Sequence, residues 1–132
     1  MRIDDLDALQ IACKALGLEF RKDQKQFKWY GRHVGDYPVP EGFTKEDMGK
    51  CDHAIAIPNN SSAYQVGVCK ARDKKGGWTL LWDFWSGGKG LQAKIGDGGA
   101  RLLEEYAATR AERVLRSQGY IVQRKTEQKV GV

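Results

Sequence analysis

The stretch WTLLWDFWSGGKGLQAKIGDGGARLL, residues 78–103, joins a strand pattern to a helix pattern through a glycine-rich segment. Side chains of a strand alternate between its two faces, and here both faces are mainly apolar: Trp78, Leu80, Trp82 and Phe84 on one, Thr79, Leu81, Asp83 and Trp85 on the other. A strand of this composition is covered on both sides. We expect helices over the first face. Over Leu81 and Trp85 we expect either the loop at residues 32–50 or a second copy of the chain.

The residues at the amino-terminal end predict the first of these helices. Apolar residues recur at helical spacing over residues 3–16, and Asp4 and Asp5 favour the positive end of the helix dipole. Gly17 is free to adopt a positive φ after the last turn, and Leu18 can pack back on that turn.

A second, longer helix is predicted after the glycines, ending at Gly119. Its inward stripe consists of Leu102, Leu103, Tyr106, Ala107, Ala111, Val114 and Leu115. The outward side is expected to carry Glu105, Arg110, Arg113 and Arg116, with Glu112 and Arg116 paired at i,i+4. The first face of the strand should therefore contact the following helix residues: Leu9, Leu16, Leu103, Tyr106 and Val114.

Alternating patterns predict the other strands. They are KQFKWY (25–30), HAIAI (53–57), AYQVGVCKA (63–71) and a final YIVQR (120–124), with a long loop at residues 31–50. The order α-β-β-β-β-α-β predicts the α+β class. We expect an antiparallel sheet of about four to five strands with two helices packed on one face.

Length and composition predict a single domain over residues 1–132, with a flexible tail at 126–132. No apolar run approaches the roughly 20 residues that cross a bilayer, so no membrane is expected. The start MRIDDLDALQ lacks the apolar core of a signal peptide. Three cysteines, too few and odd in number for a disulfide framework, fit a reducing interior. These features predict a cytoplasmic protein, in the host cytoplasm if a phage encodes it.

The net charge of +5 favours anionic partners. Basic residues concentrate at 21–33 and 70–75, and the predicted anion-binding patch consists of Lys25, Lys28, Lys70 and Arg72. The alternative is a set of solvated loops and strand edges, where lysine discourages edge pairing.

Several segments resemble one family of uncharacterised proteins. They are CDHAIAIP (51–58), YQVGVCKARD (64–73), LLWDFW (80–85), LLEEYA (102–107) and QGYIV (118–122), together with the opening LDALQIACKALGLEF (6–20). The family is the hypothetical chloroplast open reading frame thirty-five family of cyanobacteria, algal plastids and bacteriophages. Its domain has no established activity. The resemblance therefore implies fold and provenance and assigns no catalytic residue.

The glycine segment SGGKG does not match the phosphate loop of nucleoside triphosphatases. That loop needs a hydroxyl residue after its lysine to hold magnesium, and Gly90 follows Lys89 here. Two interpretations stay open: a sharp turn, or an anion nest formed by backbone N–H groups and Lys89 before a helix. In the second, a ligand would lie in a groove between an aromatic platform and the loop. The predicted ligand-binding residues are Asp83, Trp85, Ser86, Gly87, Gly88 and Lys89.

The sequence predicts neither a metal site nor general acid–base catalysis. His33, Cys51, His53 and Cys69 could ligate zinc, but they lack the paired spacing of structural zinc sites, so no metal is expected. A desolvated Asp83 could act as a general acid or base, but the sequence identifies no second polar group. An aspartate before a glycine loop more often accepts hydrogen bonds from that loop.

Two functions fit these features. The first is a small non-catalytic binding protein, of phage or cyanobacterial type, for a phosphorylated ligand, either a nucleotide or a nucleic acid. The second is a protein-interaction module, such as a phage factor that binds and modulates a host protein through the two-faced strand. No catalytic residue and no cofactor is predicted, and the chain is expected to be a monomer or a homodimer.

Overall fold

Short strands lie between an amino-terminal and a carboxyl-terminal helix. The computed structural model describes residues 2–31 and 40–124, so residues 32–39 of the predicted loop and the tail at 126–132 lie outside them. The helices and strands are α1 (Leu6–Ala15), β1 (Glu19–Arg21), β2 (His53–Ala56), β3 (Val66–Lys70), β4 (Trp78–Leu81), α2 (Leu91–Ile95) and α3 (Ala100–Ser117). Within the described residues the strands form a four-stranded antiparallel sheet in the order β1-β2-β3-β4. The predicted α+β class is confirmed.

Helix α1 ends at the glycine that the sequence predicts, and it begins at a side-chain cap formed by Asp5, which was expected in the first turn. The Asp5 side chain caps the helix by accepting the Ala8 N–H at 3.0 Å. Gly17 has φ 70°, and the Leu18 N–H donates to the Cys13 carbonyl at 2.8 Å. This bond closes a Schellman motif, in which a left-handed glycine lets the chain turn back on the last helical turn.

The first strand is not where the alternation at residues 25–30 predicts it. Glu19–Arg21 pairs with β2, and residues 25–30 cross the second face of the sheet without joining its ladder. Phe27 packs directly over Gly67 of β3, where a Cβ atom would lie 2.4 Å from the Phe27 ring. The alternation is therefore real, but it reflects a segment lying on the sheet rather than one hydrogen-bonded within it.

The predicted final strand at residues 120–124 is also absent from the described structure. Ile3 bonds to the free edge of β4 instead, through Ile3 N–H to Trp78 O at 3.0 Å and the reciprocal bond at 2.6 Å. Tyr120 and Ile121 are exposed. Arg124 holds this segment against α3 by pairing with Glu105 at 2.5 Å. The residues after α3 therefore follow the helix and do not return to the sheet.

Helix α3 turns a narrower stripe inward than its sequence predicts. Leu102, Tyr106 and Thr109 are buried. Four residues predicted to face inward are exposed: Ala107, Ala111, Val114 and Leu115. The helix is oriented so that its middle faces α1 as well as the sheet, which leaves its last apolar residues in solvent.

Arg110 and Arg113, predicted on the outer side of α3, contact α1. Arg110 pairs with Asp4 at 2.7 Å, and Arg113 pairs with Asp5 at 2.9 Å. The predicted i,i+4 pair of Glu112 with Arg116 is present at 3.9 Å. Charged residues along α3 thus join the two helices.

Among the described residues, no helix is long and apolar enough to cross a membrane.

Both faces of the sheet are covered by the chain itself. The helix side carries the larger core, which includes Ile3, Leu9, Ile55, Val66, Val68, Leu80, Leu91, Leu102 and Tyr106, with Leu16, Trp82, Phe84 and Leu103 packed against it. On the second face, Leu81 is covered by Phe43 and Met48, as the loop prediction requires, and also by Phe27. The contact predicted for Val114 is wrong because that side chain is exposed. Leu81 needs no second copy of the chain to bury it.

Candidate functional site

The chain leaves β4 at Leu81 and enters a left-handed turn. Ser86, Gly87, Gly88 and Lys89 have φ values of 55°, 68°, 63° and 56°. For a residue with a Cβ atom this conformation costs about 1–2 kcal/mol, so Ser86 and Lys89 are held in it by their surroundings. At Gly88 a Cβ would lie 2.9 Å from the Leu91 Cβ and 3.2 Å from the Asp83 carbonyl oxygen. Glycine is needed at this position for space as well as for its φ.

Bonds within the chain hold this turn in place. The Tyr64 N–H donates to the Gly88 carbonyl at 2.8 Å, and the Gly87 N–H donates to the Phe84 carbonyl at 2.8 Å. The helix that follows, α2, has five residues, and α3 begins only after a second glycine turn. The backbone therefore acts as a turn rather than as an anion nest before a long helix. The exposed Lys89 side chain is the cationic group of this segment.

Asp83 supports the site from beneath. Its side chain is buried at 1% exposure. One carboxylate oxygen accepts the Trp85 N–H at 2.9 Å and the other accepts the Tyr30 N–H at 3.0 Å. A carboxylate so enclosed does not reach a ligand, so the ligand contact predicted for Asp83 is corrected to a positioning role. The bond to Trp85 agrees with the expectation that Asp83 accepts hydrogen bonds from the following loop.

Asp83 brings together an aromatic pair. The rings of Tyr30 and Trp85 stack with centroids 4.2 Å apart at 16°. The Lys89 ammonium lies over the Trp85 ring, 5.3 Å from its centroid. Tyr30 is 36% exposed and Trp85 38% exposed, so the stacked pair remains open to solvent. The arrangement joins two flat apolar surfaces to a cation.

Tyr30 is the residue of this pair that the sequence prediction missed. It lies 55 positions before Trp85, and no local pattern indicates that the two rings meet. The signal available was the exposed side of the alternation at residues 25–30, which Lys28 and Tyr30 share. Because that segment crosses the sheet, its exposed side meets the end of β4.

The predicted basic patch is not gathered in one place. Arg72 forms two bonds with the Asp47 carboxylate, at 2.9 and 3.1 Å, and stacks on the Phe43 ring. Lys28 lies beside Gln65, before β3, whereas Lys70 ends that strand, about 16 Å further along it. Of the predicted patch residues, Lys25 and Lys28 lie on the segment at residues 25–30 that carries Tyr30, and Lys28 is the nearer of the two to Tyr30 in sequence.

The residues considered for zinc have separate roles in the fold. The Cys51 thiol donates to the Gln24 carbonyl at 3.1 Å and the Cys69 thiol to the Lys50 carbonyl at 3.3 Å. Burial raises the pKa of Cys51 to about 11 and that of Cys69 to about 12. His33 lies outside the described residues. Among those described, no group of three or more His, Cys, Asp and Glu side chains is arranged to hold a metal ion.

His53 is a buried acceptor on β2. Its Nδ1 accepts the Asp23 N–H at 2.9 Å, and its ring lies between Phe20 and Trp78. Burial lowers the pKa of His53, while the Asp23 and Asp52 carboxylates raise it by a smaller amount. The accepted bond requires an unprotonated Nδ1, so the neutral ring is part of the fold.

Comparison with known proteins adds no assignment to this geometry. No family model, curated protein or solved structure matches the chain. The resemblance to the chloroplast open reading frame family therefore stays a prediction. The features that indicate a function are the aromatic pair and the Lys89 ammonium over it.

Proposed function

We propose that the chain is a small non-catalytic binding protein for a phosphorylated ligand that carries an aromatic base, either a nucleotide or a nucleic acid. The observation that carries the proposal is the exposed stack of Tyr30 on Trp85 with the Lys89 ammonium over it. Every base has an aromatic face that can stack on such a ring. An ammonium group beside the ring can hold the phosphate.

The way the pair is held supports binding. Buried Asp83 fixes the backbone of both aromatic residues, and the left-handed turn fixes the backbone of Lys89. Groups held before binding lose less conformational entropy when a ligand arrives. A net charge of +5 attracts the same class of ligand.

The cellular setting is part of the proposal. All three cysteines carry free thiols, which suits a reducing compartment. We place the protein in the cytoplasm, that of the host if a phage encodes the chain.

A second candidate function, binding of a host protein, now depends on a different surface. The two-faced strand that first supported it is covered by the chain's own residues. Exposed apolar side chains remain at and after the end of α3: Val114, Leu115, Tyr120 and Ile121. A contiguous apolar patch is a common feature of protein interfaces. Binding there should change little with salt, whereas phosphate binding should weaken steeply.

The test is a thermal-shift screen with ATP, cyclic AMP and the single strands dT12 and rU12. A ligand of the native state raises the melting temperature. Any probe that binds is then titrated against Trp85→Ala and Lys89→Ala, with Lys74→Ala as the control for loss of an exposed lysine. Trp85→Ala should weaken binding about 5- to 150-fold, the contribution of one stacked base. Absence of any shift, or wild-type affinity in both site variants, would reject the proposal.

A further inference from the structure

A polar groove of about 510 Å³ lies between the end of β1 and the turn that follows β2. It is lined by Arg21, Ile57, Asn59, Asn60, Ser61 and Gln65. Side-chain amides and a hydroxyl give it both donors and acceptors for the edge of a base. Arg21 pairs with Glu19 at 3.2 Å in an exposed ion pair, which contributes little to stability and can be exchanged for a phosphate.

The groove is bounded by the segments that hold the pair. On one side the Lys28 ammonium donates to the Ser61 carbonyl at 2.6 Å, and the Lys28 N–H donates to Gln65 Oε1 at 3.0 Å. Lys28 precedes Tyr30 by two positions on an extended segment. On the other side, the Asn60 Nδ2 atom lies 3.6 Å from where a Cβ on Gly90 would be. The groove is therefore joined to the segment of Tyr30 through Lys28 and to the turn of Lys89 through Asn60 and Gly90.

The openness of this surface bears on the size of the ligand. Sites for single small molecules are concave and cover about 70–90% of the ligand. Here Asn59, Asn60 and Ser61 are exposed, as are both rings of the pair. An open surface of stacking groups and cations gains affinity by contacting several nucleotides of one strand. Paired bases hide their faces in the helical stack, so a duplex cannot use the rings.

We infer that the ligand is a single-stranded nucleic acid that spans at least two nucleotides of this surface. One base stacks on the outer face of the Tyr30–Trp85 pair, the neighbouring base lies in the groove with its edge toward Asn60, and Lys28 and Arg21 hold the phosphates. The inference rests on the proposed function and adds the class of ligand and the second half of the site.

The experiment measures binding of fluorescein-labelled dT2, dT4, dT8 and rU8 by anisotropy, with TMP and a double-stranded 8-mer as competitors. Affinity should rise from dT2 to dT8, and TMP and the duplex should compete poorly. The arms dT8 and rU8 separate DNA from RNA as the source of the strand, and tight binding of either supports the inference. TMP competing as well as unlabelled dT8, or the duplex doing so, would overturn it while leaving the proposed function in place. If none of these probes binds, the inference is overturned, and the proposed function falls with it when ATP and cyclic AMP also fail to bind.

Two variants test the groove itself. Arg21→Gln should lower the slope of log K against log salt by about 0.7 for dT8, the value for one phosphate contact on a single strand, whereas Lys74→Gln should leave it unchanged. Asn60→Asp keeps the oxygen that accepts the Ala63 N–H at 3.1 Å but replaces a donor with a negative charge. It should weaken dT8 binding without changing the melting temperature. Wild-type affinity and salt slope in both groove variants would reject the groove as part of the site.

Discussion

The helix-covered face of the sheet and the surface end of β4 use similar side chains in opposite ways. On the helix face, Leu9, Ile55 and Leu102 are buried completely and contribute through the area they remove from water. At the end of β4, Trp85 stacks on Tyr30 but keeps 38% of its surface exposed. One region uses its apolar surface for folding, and the other leaves part of it exposed to solvent.

The two regions also differ in how much left-handed backbone they contain. Helix α1 is closed by ordinary capping, with strain confined to one glycine. The turn after β4 has four successive left-handed residues, two of which carry side chains. A strained backbone persists only where the surrounding structure holds it in place. Such strain is often found at functional sites. The comparison predicts large stability effects and no binding effects on the helix face, and the reverse at the aromatic pair.

The largest effect is expected inside the core of α3. Leu102→Ala should lower the free energy of unfolding by about 2–5 kcal/mol, because it leaves a cavity where the side chain is fully buried. Leu115→Ala on the same helix is the matched control, since that side chain is 40% exposed. Urea unfolding of both variants measures the difference. Equal losses would mean that the exposed end of α3 is covered in solution.

A smaller loss of stability is expected for Asp83→Asn. This change replaces one of the two carboxylate oxygens that accept the Tyr30 and Trp85 N–H groups. The amide can accept a hydrogen bond from Tyr30 or from Trp85, but its NH₂ group must then face the other backbone N–H. Leaving that donor buried and unpaired should cost about 1–3 kcal/mol. Asp97→Asn makes the same chemical change at an exposed side chain that bonds to Gln92 at 2.9 Å. If both variants unfold at the same urea concentration, Asp83 does not hold the pair.

A pH-dependent loss of stability is expected from His53, a buried polar residue that contacts Phe20 and Trp78 of the larger core. Its pKa is lowered by burial, so the unfolded chain binds a proton near pH 6.5 while the folded chain does not. The stability from this group should therefore be full above about pH 6.5 and fall as the pH drops toward the folded pKa. The loss should be at most about 1.4 kcal/mol for each pH unit, the value for binding one proton. His53→Asn keeps an acceptor for the Asp23 N–H and cannot titrate.

The measurement is urea unfolding of wild type and His53→Asn at steps between pH 7.5 and 5. The difference in stability between the two proteins should change in favour of the variant as the pH falls. A constant difference across this range would show that His53 keeps the same protonation in the folded and unfolded chains.

Sequence patterns predicted the fold where local and tertiary forces agree. The glycine end of α1 and the meander from β2 to β4 follow from spacing and composition, and the loop at residues 32–50 was one of the two covers expected for Leu81. The patterns were wrong where two segments compete for one place. Ile3 occupies the edge of β4 that YIVQR was predicted to take, and residues 25–30 lie across the sheet instead of entering it.

The candidate site could be predicted only in part. Trp85, Lys89 and the glycines lie in one short stretch and were identified together. Tyr30 was missed because its backbone N–H bonds to Asp83, 53 positions along the chain. Asn60 was missed because its own hydrogen bonds are local, to Ser62 and Ala63, and do not indicate that it lies near Gly90. Periodicity reports which face a residue occupies. It does not report which other segment that face meets.

The smallest stability effect is expected for the contact between the two rings of the aromatic pair. This contact tests the comparison between the two regions most directly. The contact between the Tyr30 and Trp85 rings should contribute about 0.5–1.5 kcal/mol beyond their buried area, the value of one aromatic pair. Trp85→Ala loses this contact and also the buried part of its ring, which is 38% exposed. Tyr30→Ala and the double variant complete a thermodynamic cycle that isolates the contact between the rings. The same proteins are then tested against dT8, with Leu102→Ala as the reference at a temperature where it remains folded. We expect the pair variants to lose binding and keep most of their stability, and Leu102→Ala to lose stability and keep its binding. A loss of stability in Trp85→Ala as large as that in Leu102→Ala would place the pair in the core and remove the reason for assigning it a ligand.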